Sequence, residues 1–268
     1  EGTVEWNKNV RVGYLDQHTV LAPGMTIETV LKSAFGYLFE MEDGSLVESV
    51  WMKYKHGNSV CISSQAGCKM GCTFCASAHA GFGRSLTSGE MLGQVILSQR
   101  HMNEKIRTVV VMGIGEPFDN YDNLWGFINT ITSPDGINMG ARHITVSTCG
   151  LIPKIKDFTE RKSQINLAIS LHAPNDELRK ELMPVPAHYP LKELIGACRE
   201  YVKVTGRRIT FEYSLFDEVN DTIACADELA ALLKGINCHV NLIAANEFAG
   251  SPYKRCRKKR IEVFRKAL

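Results

Sequence analysis

Three cysteines lie close together in the segment Cys68-Lys-Met-Gly-Cys72-Thr-Phe-Cys75, with the spacing C-x3-C-x2-C. Three thiolates on one tight loop can each bind one iron of a [4Fe-4S] cluster, which leaves the fourth iron without a protein ligand. That open iron can bind the amino and carboxylate groups of S-adenosylmethionine and pass an electron to its sulfonium. A structural zinc site is the alternative, but such sites prefer two spaced pairs of ligands, and no second pair follows here. The spacing therefore favours an iron–sulfur site.

The elements that must position this loop are short β-rich runs that alternate with helical patterns from residue 59 onward. Six runs are strand candidates, and several are almost continuously apolar, as strands covered on both faces should be. They are Val60–Ser63, Thr108–Met112, His143–Thr148, Ile165–His172, Arg208–Phe216 and His239–Ala244. Six β/α units are too few for an eight-stranded barrel. We therefore predict an α/β fold in which a parallel sheet forms a partial (β/α)6 barrel.

Helices between these strands are predicted from apolar residues at i, i+3, i+4 and i+7, which share one helical face. Such stripes are Met91, Leu92, Val95 and Ile96; Leu124, Phe127, Ile128 and Ile131; and Ala226, Leu229, Leu232 and Leu233. A last helix is expected near Lys258–Leu268.

Polar or glycine residues follow four of the predicted strands, at Gly113-Ile-Gly115-Glu116-Pro117, Ser147-Thr-Cys-Gly150, Ser170-Leu171-His172 and Asn246. In barrels of this kind, chemistry takes place where strands end and helices begin. Glycines let the backbone approach a ligand closely, and Glu116 is placed to accept a hydrogen bond from an ammonium group. One such residue alone is more typical of a helix cap or a satisfied core group. Their recurrence beside an open iron predicts a cofactor cleft.

The residues ahead of the barrel divide into two parts. A β-hairpin is predicted for Tyr37–Lys53, because two β-rich runs flank an Asp-Gly turn, and a second turn is expected at His56-Gly57-Asn58. We assign residues 37–58 to this small N-terminal hairpin extension and residues 59–268 to the core. Residues 1–36 form an extension of uncertain origin. The segment from Val10 to Leu31 resembles the glutamine-loop segment of ABC-F-type ATPases, with Gln17 as its glutamine, but no Walker motif accompanies it.

Composition limits the function classes. The net charge of +2 does not by itself indicate a nucleic-acid binder. The run Lys254–Arg260 is the local exception, and it is either a solvated helix start or a contact for phosphates. No apolar run approaches the roughly 20 residues that span a bilayer, and no secretory signal is present. We therefore expect a cytoplasmic protein without a membrane partner. Nine cysteines are unusual in that compartment, which keeps thiols reduced, so their clustering matters more than their number.

Taken together, five motifs resemble the bacterial adenine-C2 RNA methyltransferases (RlmN type), a family of radical S-adenosylmethionine enzymes. The motifs are Cys61-Ile-Ser-Ser-Gln-Ala-Gly-Cys68, Gly113-Ile-Gly-Glu-Pro117, Ser147-Thr-Cys-Gly150, Ser170-Leu-His-Ala-Pro-Asn-Asp-Glu177 and Val240-Asn-Leu-Ile243. The resemblance runs from about Tyr37 to Leu268. It implies a methyl-cysteine mechanism that consumes two S-adenosylmethionine molecules, one as methyl donor and one as radical source.

The resemblance also implies residue roles. Cys68, Cys72 and Cys75 would bind the [4Fe-4S] cluster. The S-adenosylmethionine site would comprise Gly115, Glu116, Ser147, Ser170, Leu171, His172 and Asn246. Glu48 matches the proton acceptor, and Cys61 matches the cysteine that resolves the protein–RNA adduct through a transient disulfide. The implied substrates are an adenine of 23S rRNA and an adenine beside the anticodon of certain tRNAs, with an external electron donor such as flavodoxin.

Two departures from the family accompany the resemblance. The family's methyl-carrying cysteine belongs to an Ala-Cys-Gly motif that this chain does not reach before Leu268, and Cys256 does not replace it. We therefore expect the 268-residue chain to bind cluster and cofactor but not to methylate RNA. Ala244-Ala245 stands where the family has Pro-Trp, which would loosen one side of the pocket. Two alternatives stay open: a C8-directed relative that confers antibiotic resistance, although Ala66 and Pro117 favour the C2 branch, and a non-catalytic cluster protein that binds RNA.

Overall fold

The computed structural model describes residues 11–15, 35–55, 57–185, 188–248 and 250–268, and of residues 11–15 and 35 it describes the backbone alone. The strands in these ranges are β1 Arg11–Leu15, β2 Phe35–Glu40, β3 Leu46–Tyr54, β4 Gly57–Ile62, β5 Gln65–Gly67, β6 Phe82–Ser85, β7 Ile106–Val111, β8 Ile144–Thr148, β9 Asn166–Ser170, β10 Ile209–Leu215 and β11 Cys238–Ala244. The α-helices are α1 Ala76–His79, α2 Ser88–Met102, α3 Tyr121–Thr132, α4 Ile152–Glu160, α5 Asp176–Leu182, α6 Leu191–Thr205, α7 Ile223–Leu233 and α8 Lys258–Ala267.

Six parallel strands form the barrel part of a nine-stranded sheet with the order β1-β2-β3-β4-β7-β8-β9-β10-β11. Each of the six predicted runs overlaps one of the parallel strands β4, β7, β8, β9, β10 and β11, and helices connect them in chain order. Their apolar side chains are buried because helices cover the sheet, as Val60, Val109 and Ile169 illustrate. The predicted partial (β/α)6 barrel is confirmed.

The N-terminal hairpin is present as β2 and β3, which pair antiparallel around a turn with Gly44 at φ +78°. It continues the barrel sheet, because β3 also pairs antiparallel with β4, with Val50 opposite Cys61. Gly57 and Asn58 belong to β4 rather than to the predicted turn, and His56 lies outside the described residues. The division of the chain at residues 36 and 58 stays a prediction.

Strand β1 pairs with β2 in a region for which the sequence predicts no strand. The rest of the ATPase-like segment, including Gln17, lies outside the described residues. Among the residues that the structure describes, no helix is both long and apolar enough to cross a membrane.

The predicted helical faces are largely the buried ones. In α3, Leu124, Phe127, Ile128 and Ile131 are all buried. In α7 the buried residues are Ala226, Leu229 and Leu233, with Leu232 at the margin. Helix α2 differs, because Leu92 and Ile96 are only partly buried, and its buried face includes Gln94 and Ser98 instead. Gln94 is buried because its side chain forms hydrogen bonds with the backbone just after β4. Its Nε2 donates to the Ser63 carbonyl, and its Oε1 accepts from the Ser63 N–H.

Strands β5 and β6 form a two-stranded antiparallel ribbon that joins the two ends of the cysteine segment. The sequence predicts neither strand. The Cys68 N–H donates to the carbonyl of Gly81 across the ribbon at 2.9 Å. Gly67, at φ +78°, lies opposite, and a Cβ there would come within 2.0 Å of the same carbonyl oxygen. A side chain at position 67 would therefore open the ribbon, so this glycine fixes where the cysteine loop begins.

Candidate active site

The three predicted cluster ligands lie on one loop between β5 and β6. The Cys75 N–H donates to the Cys72 carbonyl at 3.1 Å, and α1 begins directly after Cys75. The loop is tied to the end of α5, because the Thr73 N–H donates to the Leu182 carbonyl at 3.0 Å. Thr73 Oγ1 also lies 2.9 Å from the hydroxyl of Tyr253. Backbone bonds on both sides therefore hold the three thiols at one place in the barrel.

A cavity of about 250 Å³ opens at the carboxyl ends of the parallel strands, next to this loop. Eight of the predicted site residues line it: Cys68, Cys72, Cys75, Gly115, Glu116, Ser147, Ser170 and His172. They come from the cysteine loop and from the ends of β7, β8 and β9. The structure therefore brings the predicted cluster ligands and most of the predicted cofactor residues to one place.

The glycines after β7 allow the backbone to pack closely against the segment after β4. A Cβ on Gly113 would lie 2.7 Å from Ser63 Oγ, and a Cβ on Gly115, at φ +102°, would lie 2.5 Å from the Gln65 Cβ. The Ile114 carbonyl accepts from the N–H groups of Ser64 and Gln65, and the Glu116 N–H donates to Gln65 Oε1. The space that side chains would need is filled by the segment after β4. These glycines allow two backbone segments to pack together, and their hydrogen bonds hold Glu116 in the cavity wall.

Glu116 is almost wholly buried, and both its carboxylate oxygens accept backbone hydrogen bonds. Oε1 accepts from the Phe118 N–H at 2.9 Å, and Oε2 accepts from the Cys149 N–H at 2.7 Å. Burial raises the pKa of this carboxyl, and the donors from Cys149, Thr148 and Phe118 oppose that rise. These donors hold the carboxylate in the cavity wall, where its negative charge faces a site that can take a cationic ligand.

His172 is buried in a neutral form. Its Nδ1 accepts from the Ser214 N–H at 2.9 Å, and its ring packs against Phe74 with 4.9 Å between centroids. Burial, with a smaller contribution from the Arg179 charge, lowers the pKa of His172 to about 3. Because Nδ1 is an acceptor, the proton of the neutral ring lies on Nε2. His172 therefore offers the site a hydrogen-bond donor without a charge.

The environment of these cysteines suits ligands of a metal cluster better than it suits free thiolates. Burial, followed by the charges of Cys75 and Cys68, raises the pKa of the Cys72 thiol to about 12. Burial likewise raises the pKa of Cys68. Thiolates at these positions are therefore unstable without a strongly cationic partner, and iron is the kind of soft ion that thiolates bind. Three sulfur donors on one wall of a cavity match the three protein-bound irons of a cubane cluster.

Arg179 is a charged residue of this region that the sequence did not single out. It belongs to α5, is wholly buried, and donates from Nη2 to the Cys149 carbonyl at 2.7 Å. Its positive charge lowers the pKa of Cys72 and of Cys149, against the larger effect of burial. It is thus a buried cation close to the cluster loop.

Four predicted site residues do not line the cavity. Asn246 is exposed two residues beyond β11, and the Leu171 side chain is buried. Glu48 is exposed on β3, and Cys61 lies on β4. Since Val50 is opposite Cys61 and side chains alternate along a strand, Glu48 and Cys61 share one face of the sheet.

The Cys61 sulfur nevertheless lies at the edge of the cavity. It accepts a hydrogen bond from the backbone of Met112, a residue that lines the cavity. Burial raises the pKa of Cys61 to about 11, which the Met112 N–H partly offsets.

Glu212 also lines the cavity, and its Oε2 accepts from Asn241 Nδ2 at 2.8 Å. A single charged residue inside the apolar run of β10 is the signal that could have identified Glu212.

Comparisons with known proteins agree with this geometry. The family model described as the Radical SAM superfamily matches residues 62–234. A protein of Clostridium novyi (strain NT) named "Probable dual-specificity RNA methyltransferase RlmN" is 54% identical over 232 residues, which are 87% of this chain and 68% of that protein. The crystal structure of a radical SAM methyltransferase from Sphaerobacter thermophilus is 42% identical, with a TM-score of 0.86 over 96% of this chain and 73% of that one.

A more distant structure shows the fold alone. Streptococcus suis SuiB, in a crystal structure with bound S-adenosylmethionine, is 15% identical with a TM-score of 0.56 over 76% of this chain and 45% of that one. The name of the Clostridium novyi relative agrees with the RlmN-type resemblance, and it does not favour the C8-directed alternative.

Proposed function

Because this chain belongs to the radical SAM superfamily and, within it, to the RlmN-type RNA methyltransferases, we propose that it takes part in methylation of adenine C2 in RNA. Enzymes of this superfamily use a [4Fe-4S] cluster and S-adenosylmethionine. The observation that carries the proposal is the loop of three cysteines beside a cavity that Glu116, Ser147, Ser170 and His172 also line. The proposed substrates are adenines of 23S rRNA and tRNA, and the proposed compartment is the cytoplasm, which keeps thiols reduced.

We assign Cys68, Cys72 and Cys75 as the cluster ligands. When bound, the cluster supplies the electron that cleaves S-adenosylmethionine and yields a 5′-deoxyadenosyl radical. The chain's part is to hold the three thiolates, to exclude water from them and to admit an electron donor such as flavodoxin. The loop is suited to this part because the β5–β6 ribbon and the bonds from Thr73 to α5 fix it at two ends.

The cofactor residues orient S-adenosylmethionine through hydrogen bonds. Glu116 accepts from the ammonium group, because its carboxylate is buried, ionisable and already aligned by two backbone donors. His172 donates a hydrogen bond from Nε2 to S-adenosylmethionine. Ser147 and Ser170, whose Oγ atoms lie 3.5 Å apart, supply a pair of hydroxyls on one wall, and Gly115 holds Glu116 in place. Leu171 and Asn246 do not line the cavity, and their assignment to this site rests on the resemblance alone.

Glu48 and Cys61 act on the substrate side of the reaction. Glu48 is exposed and accepts the proton that the adenine ring loses. Cys61 provides the thiol that resolves the protein–RNA adduct by forming a disulfide with the carrier cysteine. With a pKa raised to about 11, the Cys61 thiol is protonated at neutral pH. It therefore does not form a disulfide spontaneously and becomes a nucleophile only when a base removes its proton.

Nucleoside analysis of the RNA product tests this proposal. The full-length protein is incubated anaerobically with S-adenosylmethionine, a reductant, and rRNA or tRNA. We expect 2-methyladenosine, and we expect none from a Cys72→Ala variant. A product of 8-methyladenosine would establish the C8-directed alternative. Absence of either product, with a full cluster and intact cofactor cleavage, would contradict the assignment as an RNA methyltransferase.

A further inference from the structure

Four exposed cations lie near the start of α8: Lys254, Arg257, Lys258 and Lys259, which we call the basic patch. Within the described part of the chain, none of the four takes part in an ion pair. The next residue, Arg260, is different, because its Nε lies 2.7 Å from Asp221 Oδ2 and its Nη1 lies 3.4 Å from Asp217 Oδ1. The charges of the basic patch are therefore not used to hold the fold together.

The position of the basic patch disfavours the helix that carries it. Arg257 is the N-cap residue of α8, Lys258 and Lys259 occupy its first turn, and that turn contains no acidic residue. The amino end of a helix carries a partial positive charge, so cations there oppose the helix dipole. Charges that oppose the local structure and form no ion pair with any described residue point to a partner of opposite charge.

The basic patch lies beside the cavity. Tyr253, one residue before Lys254, contacts the cysteine loop through the 2.9 Å approach of its hydroxyl to Thr73 Oγ1. Its ring packs on Phe216 at 4.9 Å, and Phe216 packs at 5.1 Å on Phe74, which lines the cavity. The Asp217 N–H also donates to the Lys254 carbonyl at 3.0 Å. Lys254, the first residue of the basic patch, is thus attached to the wall of the candidate active site.

We propose that the basic patch binds backbone phosphates of the RNA substrate as the target adenine enters the cavity. This inference rests on the proposed function and adds the surface on which the RNA lies. The chain's net charge is only +2, so concentrated local charge, rather than the field of the whole protein, attracts the polyanion. Lysine and arginine contacts to phosphates position a nucleic acid without reading its sequence. The cavity selects the base, and the basic patch holds the strand next to it.

Charge removal with a matched control tests this inference. The patch variant is Lys254→Gln/Lys258→Gln/Lys259→Gln. The control is Lys105→Gln/Lys162→Gln/Lys234→Gln. It removes three exposed lysines that precede β7, β9 and β11, at the amino ends of the strands and so away from the cavity. The probe is a fluorescein-labelled single-stranded RNA of mixed sequence, followed by anisotropy between 50 and 200 mM salt. The melting temperature of each variant checks that it is folded.

In the patch variant we expect at least tenfold weaker binding at low salt. The slope of log K against log salt should fall by about 2, because three released counterions count about 0.7 each on a single strand. The control should retain the wild-type slope. A patch variant with wild-type affinity and slope, or an equal loss in both variants, would overturn this inference and leave the proposed function standing. A wild-type chain that cleaves S-adenosylmethionine yet does not bind the RNA would contradict both.

Discussion

The Oε2 atom of Glu116 accepts a hydrogen bond from the backbone N–H of Cys149 at 2.7 Å, which joins the end of β7 to the end of β8. The same carboxylate accepts from the Phe118 N–H through Oε1. Two neighbouring strand ends are therefore held by one buried side chain that also faces the cavity. This arrangement couples the shape of the cofactor site to the barrel itself.

We expect Glu116→Gln to destabilise the chain and to weaken S-adenosylmethionine binding. The glutamine amide presents N–H donors to at least one backbone N–H, so a buried donor loses its acceptor, at a cost of about 1–3 kcal/mol. The negative charge that binds the ammonium group is lost as well. Urea unfolding and calorimetric titration with S-adenosylmethionine measure the two effects. Wild-type affinity in a folded Glu116→Gln variant would contradict the assigned role.

Gly115→Ala should be destabilising by about 1–3 kcal/mol, because the Cβ would lie 2.5 Å from the Gln65 Cβ and the backbone is at φ +102°. The matched control is Gly196→Ala in α6, where a Cβ meets nothing within 4 Å. There alanine should stabilise the helix by up to about 1 kcal/mol. Chemical denaturation of both variants checks the prediction. Equal stability changes would show that the contact with Gln65 does not constrain position 115.

His172 should make the cluster-free chain less stable in mild acid. Its pKa is lowered to about 3 in the folded chain and is near 6.5 when unfolded, so below pH 6.5 the unfolded state binds the proton preferentially. The stabilising contribution is complete above pH 6.5 and declines as the pH falls towards 3. Between pH 7.5 and pH 5 the loss is about 2 kcal/mol. Urea unfolding of wild type and of His172→Asn at both pH values measures it. The same pH dependence in the two proteins would refute this account.

Arg179 should favour the ionised form of Cys72, against the larger effect of burial. Its charge lowers the pKa of that thiol, so Arg179→Met should raise the pKa further and slow alkylation of Cys72 by iodoacetamide in the cluster-free chain. Arg179→Lys keeps the charge and should alkylate faster than the Met variant. Peptide mass spectrometry measures the rate of Cys72 alkylation between pH 7 and pH 10. Identical profiles for the Met and Lys variants would remove electrostatics as the role of Arg179.

Much of the barrel could be predicted because several of its short strands are almost continuously apolar, as strands covered on both faces should be. The rule that chemistry takes place at strand ends predicts that Glu116, Ser147, Ser170 and His172 lie close together, and all four line the cavity. The β5–β6 ribbon could not be predicted in this way. Its strands have three and four residues, too few for alternation to be recognised, and Gly67 acts through a contact with Gly81 that is distant in sequence.

Other features of the site could not be predicted because they depend on contacts between residues that are distant in sequence. Arg179 has the sequence context of an ordinary exposed helix charge, but it is buried in the fold, where its Nη2 donates to the Cys149 carbonyl just after β8. Gly113 and Gly115 line the cavity, and their contacts with Ser63 and Gln65 could not be predicted, because those partners are distant in sequence. Spacing identifies which residues share a site, whereas packing determines what each one does there.

The most direct test of the central claim is iron and sulfide analysis after anaerobic reconstitution, with S-adenosylmethionine cleavage followed in the same sample. We predict about four irons per chain and reductive formation of 5′-deoxyadenosine. Cys72→Ala should lose both, and the control Cys225→Ala, on α7 and away from the cavity, should lose neither. Zinc in place of iron, or a full cluster without cleavage, would contradict the account of this site as a radical S-adenosylmethionine centre.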